Sequence, residues 1–217
     1  MLLEFEHVTG TSKKFHLEDI HFSLPAGYIM GLAGKNGAGK TTLIDYIMNP
    51  KVRYTGTIRI DGADIRKNLI KTRNQVGFVS EENRFLKERS ALQNAEILGP
   101  LYEVWDMELF REALNKMDLS STRVVGKMSR GELMKFQMAF AMAHKPVLYL
   151  LDEVTVGMDP VFRIDFFRML QEVIRTEEAS VLMTSHIQTE IGQKMDYVGI
   201  MEAGRLIQFG ESIDFVK

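Results

Sequence analysis

The chain has 217 residues, 45% of them hydrophobic, and a formal net charge of -2. That is ample apolar material for a core, in one large domain or one domain with a subdomain, and with no basic stripe nothing argues for nucleic acid as a partner. The absence of cysteine excludes disulfides and cysteine-based metal sites and fits a reducing compartment, and no apolar run approaches the roughly 18–20 residues of a membrane span.

In chain order, Met1-Leu2-Leu3-Glu4-Phe5-Glu6 alternates apolar and acidic residues, which predicts a first strand and not a signal peptide. The chain is therefore expected to be soluble, with any membrane role exercised through a partner. Residues 2–8 and 15–24 alternate like strands and predict an opening antiparallel sheet. Residues 28–33 form an apolar run that predicts a buried strand, and residues 42–48 predict the first turns of a helix. Short strands are expected at 56–62 and 76–79. From 91 to 117 the periodicity is helical, with a break near Gly99-Pro100. A strong helix is expected over 131–144, a buried strand over 147–151, a helix over 161–175 and a strand over 180–184. Residues 197–209 predict a hairpin turning at Ala203-Gly204. Strands alternating with helices argue for an α/β core with a parallel sheet. Most of the 14 methionines sit at core spacing, which assigns them to packing and not to an adaptable binding surface.

Between the strand at 28–33 and the helix at 42–48 lies Gly34-Lys35-Asn36-Gly37-Ala38-Gly39-Lys40-Thr41. It matches G-x-x-x-x-G-K-[ST], a phosphate-binding loop, in the strand–loop–helix context the motif requires. The glycines let the main chain wrap phosphate oxygens with its N–H groups, Lys40 can reach the β- and γ-phosphates, and Thr41 offers a hydroxyl to Mg²⁺. The nucleotide-binding set is thus Gly34, Lys35, Asn36, Gly37, Ala38, Gly39, Lys40, Thr41 and Thr42, with the Lys35 side chain expected in solvent. Further on, Val147-Leu148-Tyr149-Leu150-Leu151-Asp152-Glu153 is a buried strand ending in two carboxylates. An acid at the carboxyl end of a parallel strand faces the ligand crevice. Asp152 is placed to hold Mg²⁺, and Glu153 to orient or deprotonate an attacking water.

Met128-Ser129-Arg130-Gly131-Glu132 opens a helix just upstream. It resembles the signature of ABC-type ATPases, usually LSGGQ. The other motifs of that family follow in order. Glu81 stands in the place of the Q-loop glutamine, Val156-Gly157-Met158-Asp159 resembles the D-loop, and His186 resembles the switch histidine. The resemblance covers nearly the whole chain. It departs from the usual pattern at Arg130, Glu132, Glu81 and Val154. The aromatic residue that stacks on adenine has no clear counterpart; Thr11 or Ser12 holds its place, with Phe15 nearest.

The resemblance implies a P-loop NTPase core with a mostly parallel sheet, an N-terminal antiparallel β-subdomain, and a helical signature subdomain at about 85–143, all within one domain over 1–217. It implies ATP and Mg²⁺, with Glu153 and His186 catalytic, Ser129, Gly131, Glu132 and Asp159 at the nucleotide, and Thr41, Asp152 and Glu81 at the metal. The signature half of the site would close on nucleotide held by a second ATPase subunit, in a homodimer or heterodimer. A separate transmembrane permease would dock on Glu81, Glu82 and the helical insert, so the chain would be cytoplasmic, peripheral at the inner face of the membrane and not inserted in it. The short single-domain layout and Glu81 are most similar to export-type subunits. The alternatives are a non-transport ABC ATPase acting on nucleic acid or ribosomes, and a P-loop enzyme outside this family such as a small-molecule kinase.

Overall fold

Alternation builds the first sheet. Strand β1 (Leu3–Ser12) turns Leu3, Phe5 and Val8 inward. The step from 5 to 8 breaks a strict period of two, and the structure shows why: the register shifts between Phe5 and Val8, beside His7 at φ 48°. Such a bulge restores the inward face after one extra residue. The molecule is a computed structural model that describes residues 1–12, 15–155, 158–177, 179–185 and 194–215, the side chains of 160, 176 and 177 excepted. Strand β1 pairs antiparallel with β2 (Phe15–Leu24) and with β4 (Arg53–Ile60), which pairs in turn with the short β5 (Ala63–Asp64).

The second sheet contains β3 (Ile29–Ala33), β6 (Val76–Ser80), β7 (Leu148–Asp152), β8 (Ser180–Ser185), β9 (Tyr197–Glu202) and β10 (Arg205–Glu211), in the order β10-β9-β3-β8-β7-β6. The contacts among β9, β3, β8, β7 and β6 are parallel; β10 returns antiparallel on β9 through the expected turn. Strand β7 shows why its sequence is continuously apolar: Leu148 and Leu150 enter one core, Tyr149 and Leu151 the other. A strand covered on both faces has no polar side to show.

Helix α1 (Lys40–Met48) packs Leu43, Ile44 and Ile47 into the core shared with the antiparallel sheet. The other core receives Phe166, Phe167, Leu170 and Val173 of α6 (Pro160–Glu177). It also receives α3 (Ala91–Leu98), α4 (Met107–Lys116) and α5 (Arg130–Ala143). Burying one Phe of this kind is worth roughly 1.5–3 kcal/mol. The expected break in the 91–117 stretch is real. A single 3₁₀ turn at Gly99–Leu101 and a loop separate α3 from α4, and Ser90 and Asp106 cap the two helices. Helix α2 (Leu69–Gln75) was not foreseen; it is two turns long and mostly exposed, too short and too polar to show a 3.6-residue period.

The parallel strands end together. Ser80 at the end of β6 lies beside Asp152 at the end of β7, and Ala33 at the end of β3 lies beside Ser185 at the end of β8. Ligands of open α/β sheets bind at that carboxyl edge.

Candidate active site

Residues 34–39 join β3 to α1. Gly39 is the helix N-cap, at φ 109°. A Cβ there would sit 2.7 Å from Phe15 Cε1 and 2.9 Å from Leu17 Cδ2, so conformation and packing both demand glycine. Phe15 is therefore the aromatic residue that reaches the loop. Of the other two candidates, Thr11 faces solvent with its hydroxyl on His16 Nδ1 at 3.1 Å, while Ser12 is buried and donates to Asp45 Oδ2 at 2.6 Å. Lys40 is only 4% exposed. Its Nζ donates to the carbonyls of Gly34 at 2.7 Å and Lys35 at 3.2 Å, which folds the ammonium back over the loop. Burial pulls the Lys40 pKa down, opposed by the nearby carboxylates of Glu153 and Asp152. Lys35, Asn36 and Gly37 are exposed, Gly34 and Thr42 half-buried, and Ala38 buried.

Four polar residues from three elements form one hydrogen-bonded chain beside the loop. Thr41 Oγ1 donates to Asp152 Oδ1 at 3.2 Å. Thr184 Oγ1, fully buried on β8, donates to the same oxygen at 2.8 Å and accepts the Glu153 N–H at 2.9 Å. Burial pushes the Asp152 carboxyl above its usual value; the Thr184 and Thr41 hydroxyls pull the other way, and the Glu153 charge adds to the rise. Glu153 takes φ 55°, a left-handed conformation uncommon for a residue with a side chain. Thr41, Ser80, Glu81, Asp152 and Glu153 line a cleft of about 190 Å³, and the buried Ser80 hydroxyl beside it has no hydrogen-bond partner. The available donors are all hard oxygens, with one hydroxyl unsatisfied, a set that fits Mg²⁺.

Ser129, Gly131 and Glu132 of the signature segment do not line that cleft. Ser129 caps α5: its Oγ accepts the Glu132 N–H at 3.2 Å, and Glu132 Oε2 accepts the Ser129 N–H at 2.8 Å. That reciprocal box satisfies two otherwise orphaned donors. The Ser129 N–H, aided by Arg123 3.1 Å away, holds the Glu132 carboxyl below its usual value. Gly131 is exposed, and a Cβ on it would meet nothing within 4 Å, so the chain's own packing does not require glycine there. Arg130 and Gly131 line a second cleft of about 310 Å³. Glu81 lines both clefts and is ion-paired with Arg130. Asp159 caps the start of α6, its Oδ1 accepting the N–H groups of Val161 at 2.9 Å and Phe162 at 3.2 Å.

The structure thus brings the loop, Thr41, Asp152, Glu153 and Glu81 together and leaves Ser129, Gly131, Glu132 and Asp159 outside that cleft. His186, Val156 and Gly157 lie outside the described residues. Thr184 and Ser80 were not singled out in the sequence. The available signal was a hydroxyl residue at or next to the carboxyl end of a buried strand.

Comparison with known proteins places the chain among relatives of one family. The ABC transporter family model matches residues 17–156. The chain is 30% identical to the ABC transporter ATP-binding protein YtrB of Bacillus subtilis (strain 168) over 88% of its own length and 65% of YtrB. It is 30% identical to the linearmycin resistance ATP-binding protein LnrL of the same organism, over 98% of this chain and 70% of LnrL. The chain thus spans only about two thirds of these relatives' length. A solved structure of an ATP-binding subunit of an ABC transporter superposes with a TM-score of 0.89 at 25% identity, covering 99% of this chain and 91% of that one.

Proposed function

The chain belongs to the ABC transporter family, and from that premise we propose that it is the ATP-binding and ATP-hydrolysing subunit of such a transporter, energising a separate membrane permease. The observation that carries the reading is the continuous chain Thr41–Asp152–Thr184–Glu153 beside a complete phosphate-binding loop.

In this reading the main-chain N–H groups of the loop and the Lys40 ammonium bind the phosphates of ATP. Mg²⁺ would be held by Thr41 and Asp152, with Glu81 and Ser80 within its cleft, and when bound would neutralise charge on the phosphate oxygens. Thr184 holds the Asp152 carboxylate and the Glu153 main chain at one atom, so both acids keep one geometry. Glu153 orients the attacking water and takes its proton. His186 donates a hydrogen bond toward the γ-phosphate, as the family resemblance implies. Ser129, Gly131, Glu132 and Asp159 serve the nucleotide of a second ATPase subunit. The open space above Gly131 supports a composite site.

Among the described residues no helix is long and apolar enough to cross a membrane, which fits a role through a permease docked on Glu81, Glu82 and residues 85–123. The resistance role in the name of LnrL favours export as the direction. Glu153→Gln tests the reading. It should keep ATP binding, lose hydrolysis and accumulate an ATP-bound dimer on size-exclusion chromatography with light scattering. Hydrolysis at the unaltered rate would remove Glu153 from its role. Stable association of the chain with nucleic acid or ribosomes, without a membrane partner, would overturn the transporter reading.

A further inference from the structure

Helix α5 is joined to the end of β6 at two points, two helical turns apart. Gln137 is buried, and its amide exchanges two hydrogen bonds with the Ser80 main chain, accepting from N at 3.0 Å and donating to O at 2.9 Å. Seven residues earlier, on the same helix face, Arg130 reaches the next residue of that strand end, Glu81. One Arg130 Nη donates to Glu81 Oε1 and lies 3.4 Å from the Glu153 carbonyl. The first joint is buried and fixed. The second is half exposed, at 46% for Arg130 and 47% for Glu81, and so can exchange partners.

Glu81 stands on the wall between the two clefts. On one side are Thr41, Asp152 and Glu153; on the other are Arg130 and Gly131, and Ser80 lines both with Glu81. Its carboxylate is turned toward Arg130, while the buried hydroxyl of the neighbouring Ser80 is left without a partner. We propose that Arg130 is a positioning residue that occupies the Glu81 carboxylate at the wall of the metal cleft, so that a divalent cation must displace the guanidinium to recruit this carboxylate. Two of the residues at which the chain departs from its family pattern then act as one unit: the carboxylate adds a strong metal ligand, and the arginine keeps it withdrawn until nucleotide and cation arrive. A half-exposed ion pair is worth only about 0.2–1 kcal/mol, weak enough for a divalent cation to outcompete. The proposal rests on the ATPase reading above.

The test is calorimetric titration of Mg²⁺ into protein loaded with a non-hydrolysable ATP analogue, for wild type, Arg130→Gln, Arg130→Lys, Glu81→Gln and the Arg130→Gln/Glu81→Gln double variant. Analogue binding is measured first. Failure of the wild type to bind it defeats the ATPase reading itself, independently of Arg130. Given binding, Arg130→Gln should tighten Mg²⁺ by about 1.5- to 5-fold, Arg130→Lys should stay near wild type, and Glu81→Gln should weaken Mg²⁺. In the Glu81→Gln background, Arg130→Gln should change nothing. The same tightening in both backgrounds would mean that Arg130 acts only through general charge, and weaker Mg²⁺ binding in Arg130→Gln would reverse the proposed sign. Either result overturns it. Unchanged melting temperatures exclude a folding effect.

Discussion

Thr184→Val is the sharpest perturbation of the site, because it removes a hydroxyl while keeping shape and burial. The Thr184 hydroxyl makes two bonds, one donated to Asp152 Oδ1 at 2.8 Å and one accepted from the Glu153 N–H at 2.9 Å. Losing the first deprives a largely desolvated carboxylate of a donor, at about 1.5–3 kcal/mol; losing the second takes the hydroxyl acceptor from the Glu153 N–H, at about 1–3 kcal/mol. Asp152 keeps the Thr41 hydroxyl, and the two losses share one atom, so they do not add in full. The expected destabilisation is about 2–4 kcal/mol. Thr184→Ser is the control: it keeps the hydroxyl and loses one buried methyl, at about 1 kcal/mol. Urea denaturation without nucleotide or Mg²⁺ should place valine below serine by about 1–3 kcal/mol. Because Glu153 loses its anchor, turnover of Mg·ATP should fall on the order of 10- to 100-fold in valine and little in serine. A valine variant as stable as the serine one, with normal turnover, would refute the claim that Thr184 sets the geometry of both acids.

Two further substitutions test other parts of the molecule. Lys40→Ala should weaken ATP binding about 10- to 100-fold, since a charge-assisted contact to phosphate is lost, whereas Lys35→Ala, whose side chain is exposed, should change it by less than about twofold; equal losses by equilibrium dialysis would show that the two roles are misassigned. His144 is buried, stacked on Tyr102 at 4.1 Å, and burial lowers its pKa from 6.5 to about 4. The unfolded chain therefore binds a proton first as pH falls below about 6.5, and stability drops until about pH 4, by on the order of 3 kcal/mol at about 1.36 kcal/mol per pH unit. His144→Phe should lose that share of the acid dependence in denaturation midpoints measured from pH 7 to 4; an identical pH profile in both proteins would remove His144 as its source.

Much of the fold was legible because its signals are local. The strand–loop–helix at 28–48 was readable from an apolar run, fixed glycines and a helix start, each a property of neighbouring residues. The helix at α5 was readable from its apolar spacing, and β7 from five apolar residues ended by two acids. Helix α2 was not readable, since two exposed turns carry no periodic signal. The bulge at His7 was hidden as well, because it shows itself only against the paired strands.

The phosphate-binding loop, the two acids and the order of motifs are legible in the chain alone, because glycine conformation, carboxylate chemistry and apolar periodicity are written residue by residue. Only the tertiary structure decided which hydroxyl ties those acids together, because Thr184 lies 31 positions from Glu153 and reaches it solely through the adjacent parallel strand. The fold alone brings Arg130 and Glu81, 49 positions apart and each an isolated departure from a pattern, into one ion pair at the wall shared by two clefts. Contacts of that kind depend on strand order and helix packing, and a one-dimensional reading does not hold that information.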